Sequence, residues 1–173
     1  MLARSWIGNP MIHYRMAHEG DLAELAGMRW DFRTEEEPAP VGMSRETFVA
    51  ACEEFLRRGL HDGRWTCWVA EQEGQIIAHI YVQRIAKVPK PSRLDDAFGY
   101  VTNVYTRPAY RGQGIGTALM ERVQTWAREQ DLELLIVWPS EASVPFYERA
   151  GFTAENDVME CLLRSEQIGE TPL

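Results

Sequence analysis

Apolar and polar residues alternate near the start of the chain, over residues 12–17 (IHYRMA), as they do in a half-buried strand. The period becomes helical over residues 20–32, where Asp21 and Glu24 stand at the spacing of a capping box. Four apolar residues form the inner stripe of this first predicted helix, namely Leu22, Leu25, Ala26 and Phe32. A strand followed by a helix is therefore expected.

A second helical pattern follows residues 34–43, a segment rich in proline and charge that we expect to be a loop. Ser44 is placed as the N-cap of this helix and Gly59 at its end. Its apolar residues recur at helical spacing, namely Phe48, Cys52, Phe55 and Leu56. Two helices thus separate the first strand from the next.

Three strands of an antiparallel meander are predicted over residues 64–72, 75–85 and 98–106, because these runs are rich in β-branched and aromatic residues. Glu73 and Gly74, between the first two runs, suit a tight hairpin turn. Residues 86–96, rich in proline and charge, read as a loop before the third strand of the meander.

A further helix follows a glycine-rich segment, and its apolar face carries Ile115, Leu119, Val123 and Trp126. Residues 132–140 have the near-continuous apolar character of a strand that is buried on both faces and parallel to its predecessor. A short helix over 141–150, a strand within 151–156 and a last strand over 158–164 complete the order β-α-α-β-β-β-α-β-α-β-β. 

The predicted fold is therefore α/β, of the α+β type, with a mixed, mostly antiparallel central sheet of about seven strands flanked by four helices. The 173 residues, 45% of them apolar, are enough for one domain with a full core. We expect that domain to extend over residues 1–173, with flexible ends at 1–10 and 165–173.

Charge and composition narrow the possible partners. The formal charge of −8, without a sizeable basic patch, disfavours nucleic acid and anionic membranes. The first residues are too short and polar for a signal peptide, and no apolar run approaches a membrane span, so the expected location is the cytoplasm. Cys52, Cys67 and Cys161 are widely spaced and are expected to be reduced packing residues.

The segment from 105 to 123 (YTRPAYRGQGIGTALMERV) places Gly112, Gly114 and Gly116 between a predicted strand and a predicted helix. Such a helix start exposes unpaired N–H groups that attract an anion, and missing side chains let a pyrophosphate approach the amides. Arg111 is placed to add charge-assisted hydrogen bonds. The alternative is that the glycines serve only a strained turn.

The known nucleotide motifs fit this segment poorly. It lacks the Gly-Lys-Ser/Thr of a P-loop, and Thr117 stands where a dinucleotide fingerprint needs its last glycine. The segment also follows a three-stranded meander and not the first strand of a βαβ unit. 

The residues resemble those of a known family. RGQGIG (111–116) matches the R/Q-x-x-G-x-G/A signature of the GNAT N-acetyltransferase superfamily, and PSEASVPFYERAGF (139–152) resembles that family's second motif with its Y-x-x-x-G-F ending. The predicted order of elements is also that of the family. The resemblance therefore covers nearly the whole chain and rests on two motifs in the right order.

The resemblance implies acetyl-CoA as co-substrate, with its pyrophosphate held by backbone amides of the glycine segment and its pantetheine arm paired with the main chain of the fourth strand. A main-chain N–H of that strand, near Val104 or Tyr105, would meet the oxyanion. The implied coenzyme-binding residues are Val104, Tyr105, Thr106, Arg111, Gly112, Gln113, Gly114, Ile115, Gly116, Thr117 and Ser140.

Two candidates for catalysis follow. By the resemblance, Tyr147 protonates the departing thiolate; alternatively it packs its ring under the last strands. Ser140 stands where the family often has an asparagine. It either hydrogen-bonds to the coenzyme or is a plain N-cap of the following helix. The fourth strand carries no carboxylate for a general base, and Asn103 either positions a water or fixes a strand edge.

Other polar residues carry less chemistry. Glu35, Glu36 and Glu37, expected in the loop after the first helix, form a solvated surface or recruit a cationic amine. His79 is expected to be a satisfied structural histidine, and no histidine pair has metal-ligand spacing, so no metal is expected. Trp30 is a candidate for the acceptor pocket, and Asp95 and Asp96 are expected to be exposed turn residues.

The sequence thus predicts an N-acetyltransferase that moves acetyl from acetyl-CoA to a primary amine of a small molecule or peptide by direct attack in a ternary complex. The alternatives are an acyl-CoA-binding sensor without turnover, which the missing carboxylate favours, and a nucleotide-binding structural domain. The acidic charge suggests a cationic acceptor such as a polyamine, aminoglycoside or lysine-bearing peptide. A homodimer is compatible with the resemblance.

Overall fold

The computed structural model describes residues 11–154 of the chain, apart from the side chain of Glu36. One sheet has five strands in the order β1 to β5. Its members are β1 His13–Met16, β2 Trp65–Gln72, β3 Gln75–Ala86, β4 Ala97–Thr106 and β5 Leu135–Ile136. The first four pair antiparallel, and β5 lies parallel to β4.

Four α-helices cover the sheet, namely α1 Leu22–Glu36, α2 Arg45–His61, α3 Ile115–Glu129 and α4 Val144–Arg149. Short 3-10 helices precede α1, α3 and α4 at Glu19–Asp21, Pro108–Tyr110 and Glu141–Ser143. One buried cluster joins α1 and α2 to the sheet through residues such as Leu25, Leu56 and Val69. A second cluster joins α3 to the sheet through residues such as Ile80 and Leu119. The sheet is thus covered on two sides.

The mixed sheet and the four helices confirm the predicted class, whereas the predicted total of seven strands is not found in residues 11–154. The strand predicted over 132–140 is reduced to the two residues of β5, which are only half-buried. Residues 151–154 form no strand, and the last predicted strand, over 158–164, lies outside the described residues.

The capping box predicted from Asp21 and Glu24 is wrong. His18 caps the 3-10 helix before α1: its Nδ1 accepts from Gly20 N, and Asp21 Oδ2 accepts from His18 N at 2.8 Å. Asp21 also pairs with the Arg15 guanidinium at 2.7 Å. Glu24 Oε1 instead accepts from Ile76 N at 3.2 Å and thereby ties α1 to β3.

The second helix begins as predicted, because the Ser44 hydroxyl accepts from Thr47 N at 3.2 Å. It does not end at Gly59, which lies inside α2. A Cβ at Gly59 would come within 2.5 Å of the Trp65 indole, so close packing is what requires glycine there. Phe55, expected on the inner face, is 49% exposed.

Positive φ angles occur at one hairpin turn and at one bulge of the sheet. Glu73 and Gly74 have φ of 52° and 79° and form the predicted hairpin turn between β2 and β3. The register between β3 and β4 shifts within these strands: Thr102 pairs with Tyr81, whereas Tyr105 pairs with His79. One residue of β3 therefore faces two of β4, and Asn103, with φ of 48°, takes the left-handed conformation at this bulge.

Asp96 corrects a further expectation, since it is buried and not exposed. Three cations surround its carboxylate: Lys90 Nζ at 3.1 Å, Arg93 Nε at 3.3 Å and Lys87 Nζ at 3.5 Å. Burial alone would raise the pKa of Asp96, but Lys90 and Lys87 outweigh it and hold the pKa below its ordinary value. Asp95 is exposed and pairs with Arg84 at 2.7 Å.

The helices of the described residues are all too short or too polar to cross a bilayer.

Candidate active site

A cleft of about 910 Å³ lies between the end of β4, the start of α3 and helix α4. Within the described residues β5 pairs with β4 only at Gly99 and Tyr100, so the β4 edge beyond Tyr100 is open on this side. Val104, Tyr105 and Thr106 line the cleft along that edge. An extended chain can therefore pair with this part of β4.

The glycine segment forms the loop that enters α3. Gly112 and Gly114 have φ of 73° and 77°, and a Cβ at either position would meet nothing within 4 Å. The backbone conformation, not crowding, thus requires glycine at these two positions. Gly116 differs, because a Cβ there would lie 3.4 Å from the Phe146 ring and 3.7 Å from Thr106 Oγ1.

The first turn of α3 offers its amides to the cleft. Gly114 is the N-cap in the left-handed conformation, and no side chain caps the helix. Ile115, Gly116 and Thr117 all line the cleft. Uncapped N–H groups at the start of a fifteen-residue helix make a site for an anion such as a phosphate.

Gln113 does not line the cleft with the rest of the segment. Its Nε2 donates to Ala109 O at 3.2 Å, which closes the turn before α3. Ser140 does line the cleft, and its hydroxyl donates to Ser143 Oγ at 3.1 Å. Although Ser140 occupies an N-cap position, its side chain makes no capping hydrogen bond.

Arg111 is held by the protein's own groups. Its Nε donates to Thr106 O at 2.8 Å, and its Nη2 donates to Glu35 Oε2 at 2.6 Å. The guanidinium also lies 5.4 Å from the centre of the Tyr105 ring. The cation expected to meet phosphate is therefore positioned at the cleft by two partners.

Glu35 is a cleft residue whose position the sequence did not reveal. It lies in the last turn of α1, with Glu36, and not in the following loop; Glu37 is the C-cap. Its Oε1 accepts from the Tyr105 hydroxyl at 2.5 Å. Burial would raise its pKa, but hydrogen bonds from Arg111 and Tyr105 hold the pKa of Glu35 below its ordinary value.

Tyr147 lines the same cleft from α4 and is 7% exposed. Its ring packs edge-on against Phe146 and Phe152, at centroid distances of 5.0 and 5.5 Å. Burial, with a smaller contribution from nearby Tyr100, raises the pKa of Tyr147 to about 12. The phenol is therefore neutral at physiological pH and carries a proton that it can donate.

Asn103 is held at both ends of its amide. Oδ1 accepts from Arg29 Nη1 at 2.8 Å, and Nδ2 lies 2.9 Å from His79 Nε2. The amide donates here, so the ring is the tautomer with its proton on Nδ1. Burial lowers the pKa of His79 to about 3, which keeps the ring neutral. His79 was expected to be a satisfied structural histidine. It is buried, but only Nε2 has a partner, since Nδ1 has none among the described residues.

A second cavity, of about 410 Å³, lies between α1, α2 and the sheet, next to the cleft. Asn103 and Thr102 line it, together with Arg29 and Cys52. We call it the aromatic cavity, because its remaining wall includes Phe48, Phe55, Trp65, Tyr81 and Tyr100. Trp30 does not line it and packs instead against Phe48 at 5.5 Å.

The amphipathic pattern of α2 could have pointed to this cavity, since Phe48, Cys52 and Phe55 form one apolar face that the sheet covers only in part. The hydrogen bond between Arg29 of α1 and Asn103 of β4 could not be predicted from the sequence, because Asn103 lies at the bulge of β4, which no local pattern indicates.

Curated relatives share part of the chain. A glucosamine 6-phosphate N-acetyltransferase from Trypanosoma brucei brucei is 38% identical over 71 residues. The match covers 41% of this chain and 48% of that protein, so the chain spans about half the length of this curated relative.

Solved structures share the fold over nearly their whole length. A predicted acetyltransferase from Clostridium acetobutylicum, whose crystal structure was determined with acetyl-CoA, superposes with a TM-score of 0.74 at 27% identity, covering 88% of this chain and 97% of that one. A GCN5-related N-acetyltransferase from Ralstonia eutropha gives 0.67 at 28% identity, covering 88% and 99%.

The family resemblance inferred from the two motifs is confirmed by a direct match. The model of the acetyltransferase (GNAT) family matches residues 24–152, which extend from the first turn of α1 to the end of the second motif. The protein therefore belongs to the GNAT acetyltransferase family.

Proposed function

We propose that the protein is an acetyl-CoA-dependent N-acetyltransferase that transfers acetyl to a primary amine by direct attack. The observation that carries the proposal is the cleft itself. It joins an open β4 edge at Val104–Thr106 to the uncapped start of α3, where Gly112 and Gly114 have positive φ. Family membership and the neighbour solved with acetyl-CoA support the choice of coenzyme.

The cleft fits the coenzyme by its donor set. The amides from Gly112 to Thr117 would hold the pyrophosphate, with the backbone N–H of Gln113 included although its side chain turns away. The main chain of Val104 and Tyr105 would pair with the pantetheine arm. Arg111 and Ser140, which both line the cleft, would add polar contacts.

Thr106 would contribute less than its neighbours to this pairing. Its carbonyl already accepts from Arg111 Nε. A coenzyme that lies along β4 would therefore use the groups of Val104 and Tyr105 before those of Thr106.

The chemistry requires that one bond form and one break. The amine nitrogen attacks the thioester carbonyl carbon, the C–N bond forms, and the C–S bond breaks. An N–H of the β4 edge near Val104 would stabilise the oxyanion, since donors fixed in place cost no reorganisation. The proton lost by nitrogen balances the proton gained by sulfur.

Tyr147 is the proposed donor of the proton to sulfur. It lines the cleft beside the β4 edge, and its raised pKa of about 12 keeps it protonated through the physiological range. A general acid must hold its proton at the working pH. Because a thiolate is a weaker base than a phenolate, the proton lost by the amine nitrogen would return to the Tyr147 oxygen as sulfur gains the phenol's proton, and the transfer then balances.

Asn103 is a positioning residue in this proposal. Its amide joins Arg29 to His79 and holds the bulge that sets Val104 toward the cleft. It lines the aromatic cavity and not the coenzyme cleft.

Release of CoA thiol from acetyl-CoA tests the proposal, with the rate measured over a panel of amines and the acceptor-free rate subtracted. Acceptor-dependent release is expected. Calorimetry with acetyl-CoA is run in parallel on the same protein. Binding without acceptor-dependent release would instead identify an acyl-CoA sensor, and affinity for ATP or NAD without affinity for acetyl-CoA would identify a nucleotide-binding domain.

A further inference from the structure

The aromatic cavity adjoins the coenzyme cleft at three points. Arg29 lines the cavity and Phe32, one turn later in α1, lines the cleft, with the guanidinium 5.7 Å from the Phe32 ring centre. In β4, Asn103 lines the cavity and its neighbour Val104 lines the cleft. A molecule in the cavity therefore lies beside the β4 edge where the thioester is expected.

Tyr100 supplies the third junction. It belongs to β4 and lines the cavity. Because β4 and β5 pair only as far as Tyr100, the strands separate at this point. The open part of the β4 edge therefore begins at a residue of the cavity wall.

The wall of the cavity is mainly apolar and aromatic, and the charge that it carries is positive. Five rings contribute to it, from Phe48, Phe55, Trp65, Tyr81 and Tyr100. Among the described residues no carboxylate lines the cavity, and the charged side chain that does so is the Arg29 guanidinium. A volume of about 410 Å³ is within the range of small-molecule sites.

Phe55 lies at the mouth of this cavity. Although it belongs to the apolar face of α2, it is 49% exposed and packs edge-on against Trp65 at 5.6 Å. An exposed aromatic ring on the rim of an apolar cavity gains buried area when an apolar ligand enters.

We propose that the acceptor is a monoamine with an aryl body, which occupies the aromatic cavity and presents its amino group to the β4 edge. This inference rests on the proposed function and names the substrate class of that site. The rings supply apolar and edge-on contacts, which favour an aryl group beyond the effect of buried area alone.

A polycationic acceptor fits this cavity poorly. A second ammonium group would lose its hydration, find no carboxylate on the described wall and face the charge of Arg29. The polyamines and aminoglycosides suggested by the net charge are therefore disfavoured by the local charge.

A sugar phosphate fits poorly for a different reason. Arg29 can attract its phosphate, but the ring hydroxyls need partners, and the amide of Asn103 is already engaged by Arg29 and His79. Unpaired hydroxyls in an apolar wall reduce affinity strongly.

The same wall explains how an amine reacts although β4 carries no carboxylate. Loss of hydration disfavours the ammonium form and lowers the pKa of a bound amine. The amine enters as the free base, its nitrogen forms the C–N bond, and the proton released afterwards balances the one that Tyr147 gives to sulfur.

The experiment compares 2-phenylethylamine with spermidine, kanamycin and glucosamine 6-phosphate as acceptors. We expect kcat/KM for 2-phenylethylamine to exceed the other values by at least about tenfold, a factor that corresponds to 1.4 kcal/mol. Greater activity with any of the other three acceptors would overturn the proposal.

Two variants of α2 localise the acceptor. Ala51 lines the cavity, whereas Ala50 is also exposed on the same helix but does not line it. Ala51→Glu places a carboxylate at the wall, so kcat/KM for 2-phenylethylamine falls about tenfold while that for spermidine rises, and Ala50→Glu leaves both unchanged. Equal effects of the two substitutions would contradict the assignment.

Binding of the amine is measured separately from turnover by saturation-transfer NMR of the aryl protons of 2-phenylethylamine. The wild type and Ala50→Glu are expected to give a saturable signal, which Ala51→Glu weakens. If this signal is present but acetyl-CoA is not consumed, the proposed function fails and the aryl site stands. If acetyl-CoA is consumed with other amines and the signal is absent, the aryl site fails and the proposed function stands.

Discussion

The guanidinium of Arg111 donates from Nη2 to Glu35 Oε2 at 2.6 Å, so the C-terminal turn of α1 is tied to the loop that enters α3. The carboxylate also accepts from Tyr105 of β4. Glu35 thus brings a negative charge into the cleft where a pyrophosphate is proposed to bind, and it occupies the cation that would meet that pyrophosphate.

Glu35→Gln is expected to strengthen acetyl-CoA binding by about three- to tenfold, because it removes a charge repelled by phosphate and releases Arg111. Calorimetry at low salt measures the change. Glu37→Gln, which removes a charge two residues away at the C-cap of α1, is the matched control and is expected to alter the Kd little. Unchanged binding by Glu35→Gln would contradict this expectation, and weaker binding would show that the ion pair supports the coenzyme site.

Tyr147→Phe is expected to lower kcat about 100-fold, since general acids contribute about 10²–10⁴ in rate. The Kd for acetyl-CoA should stay within about twofold, because the ring and its packing are retained. Tyr110→Phe removes a hydroxyl from the same cleft and serves as the control. With a pKa of about 12, Tyr147 should also produce no alkaline loss of activity below pH 10. An unchanged kcat would return Tyr147 to a packing role.

Gly114→Ala separates backbone strain from coenzyme binding. At φ of 77° an alanine costs about 1 kcal/mol of stability, and the added methyl group projects into open space at the cleft. Gly63→Ala, at φ of 70° with equally open surroundings between α2 and β2, should cost about the same in stability. Urea unfolding is expected to show similar losses for both.

Gly114→Ala is expected to weaken acetyl-CoA binding about tenfold, whereas Gly63→Ala is not. Both substitutions introduce a methyl group at similar backbone strain, but only the methyl group at residue 114 faces the proposed phosphate site. Calorimetry on both variants checks this. Equal affinities would place the pyrophosphate elsewhere.

His79 makes stability depend on pH. Its pKa is about 3 in the folded chain, whereas an unfolded histidine has a pKa of about 6.5. Between these values the unfolded state holds the extra proton, so the free energy of unfolding falls as pH falls, by up to about 1.4 kcal/mol per pH unit. His79→Gln should reduce this slope between pH 6 and 4 in urea titrations.

NMR titration gives an independent check of His79 in the wild type. The ring protons of His79 should show no titration between pH 7 and 4.5 while the protein remains folded. A His79 midpoint near 6.5 would contradict the buried neutral ring.

The sequence correctly predicted several elements whose conformation depends on neighbouring residues, among them strands, a turn and a helix cap. Runs of β-branched and aromatic residues over 64–72 and 75–85 correctly predicted β2 and β3, and Glu73-Gly74 predicted the turn between them. Ser44 correctly predicted the start of α2, because its side chain caps the helix. The glycine segment is placed where the family motif led us to expect it, at the entry of α3, because the conformations of its glycines are a property of the turn.

Long-range contacts account for most of what the sequence did not reveal. The cap of α1 changed because Asp21 pairs with Arg15 and Glu24 bonds to β3, contacts that spacing within the helix cannot show. Asp96 is buried because three cations of the preceding loop converge on it. The position of Glu35 beside Arg111 depends on how α1 packs over β4, and the sequence contains no local sign of it.

Transfer of a ¹³C-labelled acetyl group tests the central claim most directly. The protein is incubated with acetyl-CoA labelled at the acetyl carbonyl and with a mixture of 2-phenylethylamine, spermidine, kanamycin and glucosamine 6-phosphate, and the carbonyl signal is followed by NMR. We predict that the label moves from the thioester to the amide of one of these amines faster than it appears as acetate. Label that stays in the thioester, or is lost only as acetate, would contradict the claim that this cleft transfers acetyl to an amine.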